Sequence, residues 1–103
     1  MAIKKIGAQT VKLENPPSIY STYTIVGPKE GEGPLKKYFD LILDEDLWGT
    51  ESWEKAESKL QEECIKAAIN NGGLSIKDID YLLSGDLLNQ IIASGYAARQ
   101  LGK

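Results

Sequence analysis

The stretch 80-DYLLSGDLLNQ-90 decides the fold, because it joins an apolar run to a polar corner and then to a second apolar run. Before the corner, residues 79–85 carry apolar side chains at neighbouring positions, which is typical of a strand covered by helices on both faces of a parallel α/β sheet. After the corner, apolar residues recur at helical spacing over 87–101, and Gly102 supplies a stop. We therefore predict a strand, a corner and a helix.

A long amphipathic helix is predicted upstream of this stretch. Thr50 or Ser52 can cap it, since either hydroxyl can accept an amide of the first turn. Two Glu-to-Lys pairs, 51/55 and 62/66, are spaced four apart in the favourable order, and 70-NNGG-73 ends the helix. Ser75 and Asp78 resemble a capping box around a single helical turn. The apolar stripe consists of Trp53, Ala56, Leu60, Cys64, Ala67 and Ala68.

The first forty residues read as short extended pieces followed by a loop. Residues 10–13 (TVKL) form a strand signal that the prolines of 15-NPP-17 close. Residues 18–26 are rich in β-branched and aromatic side chains, so they predict a second strand or extended segment. Residues 27–34 (GPKEGEGP) predict a loop, and the spacing of Leu35, Tyr38, Phe39 and Ile42 predicts a short helix that frays at 44–46. This order of elements indicates the α/β class.

Composition and charge exclude several classes of function. A chain of 103 residues allows one domain, 1–103, and a net charge of −3 with interleaved lysines and acids argues against nucleic acid. The start has no continuous apolar run of a secretory signal, and no run approaches the roughly 20 apolar residues of a membrane span, so we expect a soluble, cytoplasmic chain. Cys64 is the single cysteine and histidine is absent, which excludes an internal disulfide, a Cys/His zinc site and a His-based triad.

Two features of the carboxyl-terminal region have competing interpretations. At the carboxyl end of the predicted strand, where ligands collect in open α/β sheets, lie Gly85, Asp86, Asn89 and Gln90. The competing and commoner interpretation is that Asp86 caps the following helix and that Asn89 and Gln90 lie in its solvated first turn. In the last helix, Gly95 lies among small residues that let another backbone approach closely. Packing inside the domain is favoured over a subunit contact for this helix, because it is the commoner use of such a face.

The chain resembles the amino-terminal part of the stage V sporulation protein AD family of spore-forming Firmicutes. The likeness covers nearly the whole sequence in one order and is carried by GAQTVKLENPP, VGPKEGEGPL, FDLILDEDLWGTESWEKAESKLQEE, LSIKDIDYLLSGDLLNQ and YAARQLG. The segments GPKEGEGPL and GDLLNQ are specific rather than generic. This resemblance implies a partial thiolase-like half-domain of βαβα type, with a mixed sheet and covering helices.

The resemblance also implies a function. Members of the family bind dipicolinic acid, pyridine-2,6-dicarboxylate, and help deliver it with calcium to the developing spore, together with other proteins of a dipicolinate channel. They are regarded as binding proteins, so no enzyme activity, catalytic residue, metal site or cofactor is expected. Location is expected to be cytoplasmic or peripheral at the forespore inner membrane, with homo-oligomers and a link to spore germination. The positions expected near the ligand are Asp86, Asn89, Gln90 and Lys29.

A fragment of a thiolase-fold condensing enzyme is the alternative. Such an enzyme needs a nucleophilic cysteine with histidine and asparagine partners, and the segment expected to carry that cysteine would follow Lys103. Cys64 is not a substitute, since a thiol on the apolar stripe of a helix keeps a high pKa and is inert. Arg99, the single arginine, is too little for a coenzyme A groove. This alternative therefore predicts an inactive chain.

Overall fold

The chain contains both short strands and helices in the computed structural model, which describes residues 3–88 and 91–103. This combination confirms the α/β class. The strands and helices are β1 (Ile3–Ile6), β2 (Thr10–Leu13), β3 (Ile25–Val26), α1 (Pro28–Gly31), β4 (Leu41–Ile42), α2 (Trp53–Asn71) and α3 (Ile92–Leu101). Two further 3₁₀ turns span Lys36–Tyr38 and Ile76–Asp78.

The first two strands form an antiparallel hairpin. Ile3 lies opposite Leu13 and Ile6 lies opposite Thr10. The connection takes three residues and begins at Gly7, whose φ of +74° is a left-handed conformation that glycine adopts without strain. The predicted strand over 10–13 is confirmed, whereas its partner β1 was not anticipated.

A small parallel sheet replaces the helix predicted over 35–42. The Asp40 carboxylate accepts the Thr24 amide at 2.8 Å and the Thr24 hydroxyl at 3.0 Å. These two hydrogen bonds align β4 with β3. The Leu41 amide then donates to the Thr24 carbonyl at 3.1 Å. The helix prediction was wrong beyond the 3₁₀ turn Lys36–Tyr38, because strand pairing outweighs helical spacing in so short a segment. The loop over 27–34 also contains α1, with Pro28 in the first turn, where its missing N–H costs nothing.

The segment 18–26 forms a strand only at Ile25–Val26. Before Thr24, polar groups of residues 21–23 bond to α2. The Ser21 hydroxyl donates to the Ala68 carbonyl at 2.6 Å, and the Cys64 thiol donates to the Tyr23 carbonyl at 3.2 Å. The helix α2 therefore supplies hydrogen-bond partners to this segment, which the sequence predicts to be a strand or an extended segment.

The long helix α2 has both ends as predicted. The Ser52 hydroxyl accepts the Lys55 amide at 3.2 Å, which caps the first turn. At the other end Gly73 has a φ of +70° and its amide donates to the Asn70 carbonyl, while the Leu74 amide donates to the Ile69 carbonyl. These two bonds form a Schellman motif. The 51/55 and 62/66 ion pairs and the capping box of Ser75 with Asp78 are also confirmed.

The strand predicted over 79–85 was wrong. These residues form no regular element, and Tyr81 and Leu83 are 88% and 95% exposed. A strand requires hydrogen bonds from a neighbour, and in the part of the chain that the structure describes no neighbour lies alongside this segment. The predicted cover by helices on both faces is likewise absent among the described residues.

The last helix is shorter than predicted. It begins at Ile92 rather than Leu87, after Ile91 in a left-handed conformation with a φ of +71°. It ends at Gly102, which has a φ of +77°, as expected of a glycine stop.

The core lies mainly between α2 and α3. Small residues of α3 face α2, so the predicted packing inside the domain is confirmed for that face, whereas Gly95 is open to space. No described helix is both long and apolar enough to span a membrane. The buried side chains among the described residues are Leu43, Ala56, Ala93, Ser94, Ala97 and Leu101.

Candidate ligand-binding corner

Asp86 caps α3 from a distance of several residues. Its two carboxylate oxygens accept the amides of Ala93 and Ser94, each at 2.8 Å. The amides at a helix start carry a partial positive charge, so a carboxylate here is stabilised. Burial alone would raise the pKa of Asp86, but hydrogen bonds from Ser94, Ala93 and Gln61 outweigh it and hold this pKa below its ordinary value. Asp86 is therefore ionised well into the acid range.

Two side chains of α2 hold the segment that leads to this cap. The Glu57 carboxylate accepts the Leu87 amide at 2.7 Å and the Leu88 amide at 3.2 Å. One turn later, the Gln61 side-chain amide donates to the Gly85 carbonyl at 3.1 Å. Because residues four apart share one face of a helix, Glu57 and Gln61 both bond to the backbone of the corner. Sequence reasoning missed both, and only their spacing could have suggested a common role.

An open apolar groove of about 270 Å³ lies beside the corner. Trp53, which is 55% exposed, and Leu87 both line it. Two acidic residues, Asp46 and Glu57, line the same groove, so the charged part of its lining is negative. Its main apolar lining consists of Leu43, Trp53, Ala56, Leu60, Leu87 and Leu88. A flat, apolar molecule fits this chemistry better than a free anion does.

The structure describes two of the four residues predicted to lie near the ligand. Asp86 lies at the corner, but its oxygens are engaged by α3 and leave little acceptor capacity for a calcium ion. Lys29 lies exposed on α1 and is not among the residues that line the groove, and no hydrogen bond or ion pair joins it to Asp86 in residues 3–88. Asn89 and Gln90 lie outside the described residues. Their predicted role in binding stays a prediction.

Cys64 lies away from the corner, beside the extended segment. Burial raises the pKa of its thiol and the nearby Asp40 carboxylate adds to this, while a backbone hydrogen bond from Ile25 partly offsets both. The thiol is therefore protonated at neutral pH and weakly reactive. Among residues 3–88 and 91–103, no group of three or more acidic or cysteine side chains could hold a metal ion.

Fold and corner together define a small α/β protein with an apolar groove where α2 meets the segment leading into α3. The model of the family described as Stage V sporulation protein AD matches residues 7–103. The chain is also 43% identical over 99 residues to Stage V sporulation protein AD of Bacillus subtilis (strain 168), which covers 96% of this chain and 29% of that relative.

The chain belongs to the stage V sporulation protein AD family. It spans about 29% of the length of the curated relative that it matches. The matched residues include α2, α3 and the segment between them.

Proposed function

We propose that this chain serves sporulation by binding dipicolinic acid during its uptake, with calcium, into the developing spore. Family membership is the observation that carries this proposal, because the match extends over 96% of the chain. The ligand itself comes from the family resemblance. Since the chain corresponds to 29% of the relative, binding by this part alone is the step that needs a test.

The chemistry of the groove favours the calcium chelate over the free acid. Asp46 and Glu57 would repel a dicarboxylate dianion, whereas a one-to-one calcium chelate is neutral. The Trp53 indole offers a flat apolar face to a pyridine ring. Asn89 and Gln90 would donate amide hydrogens to the carboxylates, and Lys29 would add a positive charge from α1. The calcium ion would enter as part of the chelate. The carboxylates of dipicolinate and water molecules would supply the oxygen ligands that calcium prefers.

Binding without chemical conversion is the second part of the proposal. The single thiol, Cys64, has a raised pKa and donates its hydrogen to a backbone carbonyl, which leaves it poorly suited to attack a thioester. We expect no release of free thiol when the purified chain is incubated with acetyl-coenzyme A, measured with a thiol-reactive dye. Turnover above that of a Cys64→Ala variant would contradict a pure binding role.

The proposed setting follows from the same resemblance. We infer a location in the cytoplasm or peripherally at the forespore inner membrane, where the chain would meet other proteins of a dipicolinate channel and contribute to the store released at spore germination. This setting requires no membrane-spanning helix of the chain itself.

Calorimetric titration tests the ligand. We expect saturable binding of dipicolinate in the presence of calcium, and an affinity about tenfold or more weaker for an Asn89→Ala, Gln90→Ala double variant. Without calcium, binding should be weaker because the dianion meets the acids of the groove.

A matched control removes the same two side-chain types elsewhere. Asn70 lies at the end of α2 and Gln100 lies near the end of α3, both exposed and away from the corner. The Asn70→Ala, Gln100→Ala variant should bind as the parent chain does. Absence of binding by the parent chain with calcium would reject the proposal for this chain, and equal losses in both variants would reject the role of Asn89 and Gln90.

A further inference from the structure

Residues 85–88 are held by side chains of the neighbouring helices rather than by a sheet or helix of their own. Among the described residues, no hydrogen bond joins the backbone of these four residues to another backbone group. The Glu57 carboxylate accepts the Leu87 amide at 2.7 Å through Oε1 and the Leu88 amide at 3.2 Å through Oε2. The position of both leucines relative to α2 therefore depends on Glu57.

Packing contributes little to the position of the two leucines. Leu87 is 97% exposed and Leu88 is 50% exposed. Burial stabilises a side chain in proportion to the apolar area removed from water, so Leu87 gains almost nothing from its neighbours. Hydrogen bonds to a carboxylate are charge-assisted and stronger than those between neutral groups. The two bonds to Glu57 are therefore the main contacts that fix this part of the chain.

The same two leucines line the apolar groove of about 270 Å³. The helix α2 supplies Trp53, Ala56 and Leu60 to this groove, at positions three and four apart on one helical face. Glu57 follows Ala56 on the same helix and also lines the groove. One residue of α2 thus connects the lining that the helix contributes with the lining that residues 87–88 contribute.

We propose that Glu57 is a positioning residue for the groove. By accepting the Leu87 and Leu88 amides together, its carboxylate holds both side chains in the lining and fixes the shape that a flat apolar ring meets. Glu57 therefore acts on the ligand through the two leucines as well as by its charge, and this effect on the ligand rests on the proposed function. The position of the leucines does not rest on it, because their bonds to Glu57 form in the ligand-free chain.

The substitution Glu57→Asp separates position from charge. It keeps a carboxylate near the start of α2, where negative charge is favourable, but withdraws it by about 1.5 Å, the length of one carbon–carbon bond. Hydrogen bonds of 2.7 and 3.2 Å are lost on such a withdrawal. Glu62→Asp is the matched control, because Glu62 lies on the same helix, pairs with Lys66 and loses the same helix propensity.

Amide exchange with water, measured by NMR on the ligand-free chain, tests the positioning role. The Leu87 and Leu88 amides should exchange about tenfold or more faster in Glu57→Asp than in the parent chain, because a hydrogen-bonded amide exchanges only when its bond opens. Their rates in Glu62→Asp should equal those of the parent. Unchanged rates in Glu57→Asp, or equal increases in the two variants, would overturn the proposal.

Circular dichroism at 222 nm should show that both variants keep their helices. If Glu57→Asp loses helix signal, Glu57→Gln takes its place, since glutamine keeps the length of the side chain. Its single carbonyl oxygen replaces two acceptor oxygens, so at least one of the two leucine amides should exchange faster. Protection of both amides at the parent level would contradict the positioning role.

Calorimetric titration with dipicolinate and calcium tests the effect on the ligand. Glu57→Asp should weaken binding about fivefold or more, whereas Glu62→Asp should bind as the parent chain does. In a Leu87→Ala, Leu88→Ala background, Glu57→Asp should change the affinity by less than about twofold, because the side chains through which Glu57 acts are gone. A full loss in that background would show that Glu57 acts by another route and would reject the inference. Absence of binding by the parent chain rejects the proposed function instead, and the exchange rates then decide the positioning role alone.

Discussion

At the scale of single residues, the corner is organised by carboxylates that bind backbone amides. Asp86 accepts two amides of α3, and Glu57 accepts two amides of the segment before it. Such charge-assisted bonds are shorter and stronger than neutral ones. For Asp86 the partners of the carboxylate are the amides of the helix that follows it. The sequence left cap and ligand contact open for Asp86, and the structure confirms the cap.

Removal of the Asp86 charge should lower stability in a pH-dependent way. Because the pKa of Asp86 is lower in the folded chain than its ordinary value, its stabilisation is fully present above about pH 4 and is lost as the pH falls through the folded pKa. Asp86→Asn should therefore melt several degrees below the parent chain at pH 7, and this difference should shrink in acid. Thermal unfolding followed by circular dichroism at pH 7 and in acid measures this difference in melting temperature.

The control for this prediction is Asp44→Asn. Asp44 is exposed and caps no helix among the described elements. Its substitution should leave the melting temperature nearly unchanged at neutral pH. A constant gap between Asp86→Asn and the parent chain at every pH would contradict the assigned role of the Asp86 charge.

At the scale of elements, close approach distinguishes glycines that look alike in sequence. Gly31 ends α1 directly against the Ile42 side chain of β4, so a methyl group added there would collide with it. Gly95 lies in the middle of α3 with nothing within 4 Å of the corresponding position. The first glycine is required by packing between α1 and β4, and the second only weakens its helix.

Alanine substitution at these two glycines should have opposite effects. Gly31→Ala should destabilise the chain by about 1–3 kcal/mol, as overpacking of a tight contact does. Gly95→Ala should stabilise it by about 0.5–1 kcal/mol, because alanine is the better helix former. Urea unfolding followed at 222 nm measures both free energies. Two changes of the same sign would show that the contact between Gly31 and Ile42 does not control this part of the fold.

At the scale of the whole molecule, a thin core carries a large surface. The core centres on the packing of α2 against α3, and the hairpin of β1 and β2 pairs mainly within itself. Small interiors give little margin of stability, so residues that would be minor in a large protein matter here. The exposed side chains of Tyr81 and Leu83 are part of this large surface.

Most of the local structure follows from the sequence. Residues 10–13, the limits of α2 and the glycine stop of α3 were predicted because their signals act over a few residues: hydroxyl caps, left-handed glycines and charges one turn apart. The candidate site was predicted less completely. Asp86 was identified, but Glu57 and Gln61 were not, since their partners lie 24 to 31 residues away.

The sequence by itself determined the α/β class, the family, the long helix and the position of the corner, because each depends on patterns read along the chain. The tertiary structure decided what contacts between distant residues control: the pairing of β4 with β3, the binding of segment 18–24 to α2, and the late start of α3. Among the described elements, no strand pairs with residues 80–84. Apolar composition shows that a segment must be covered, but only the arrangement of neighbours determines what is available to cover it.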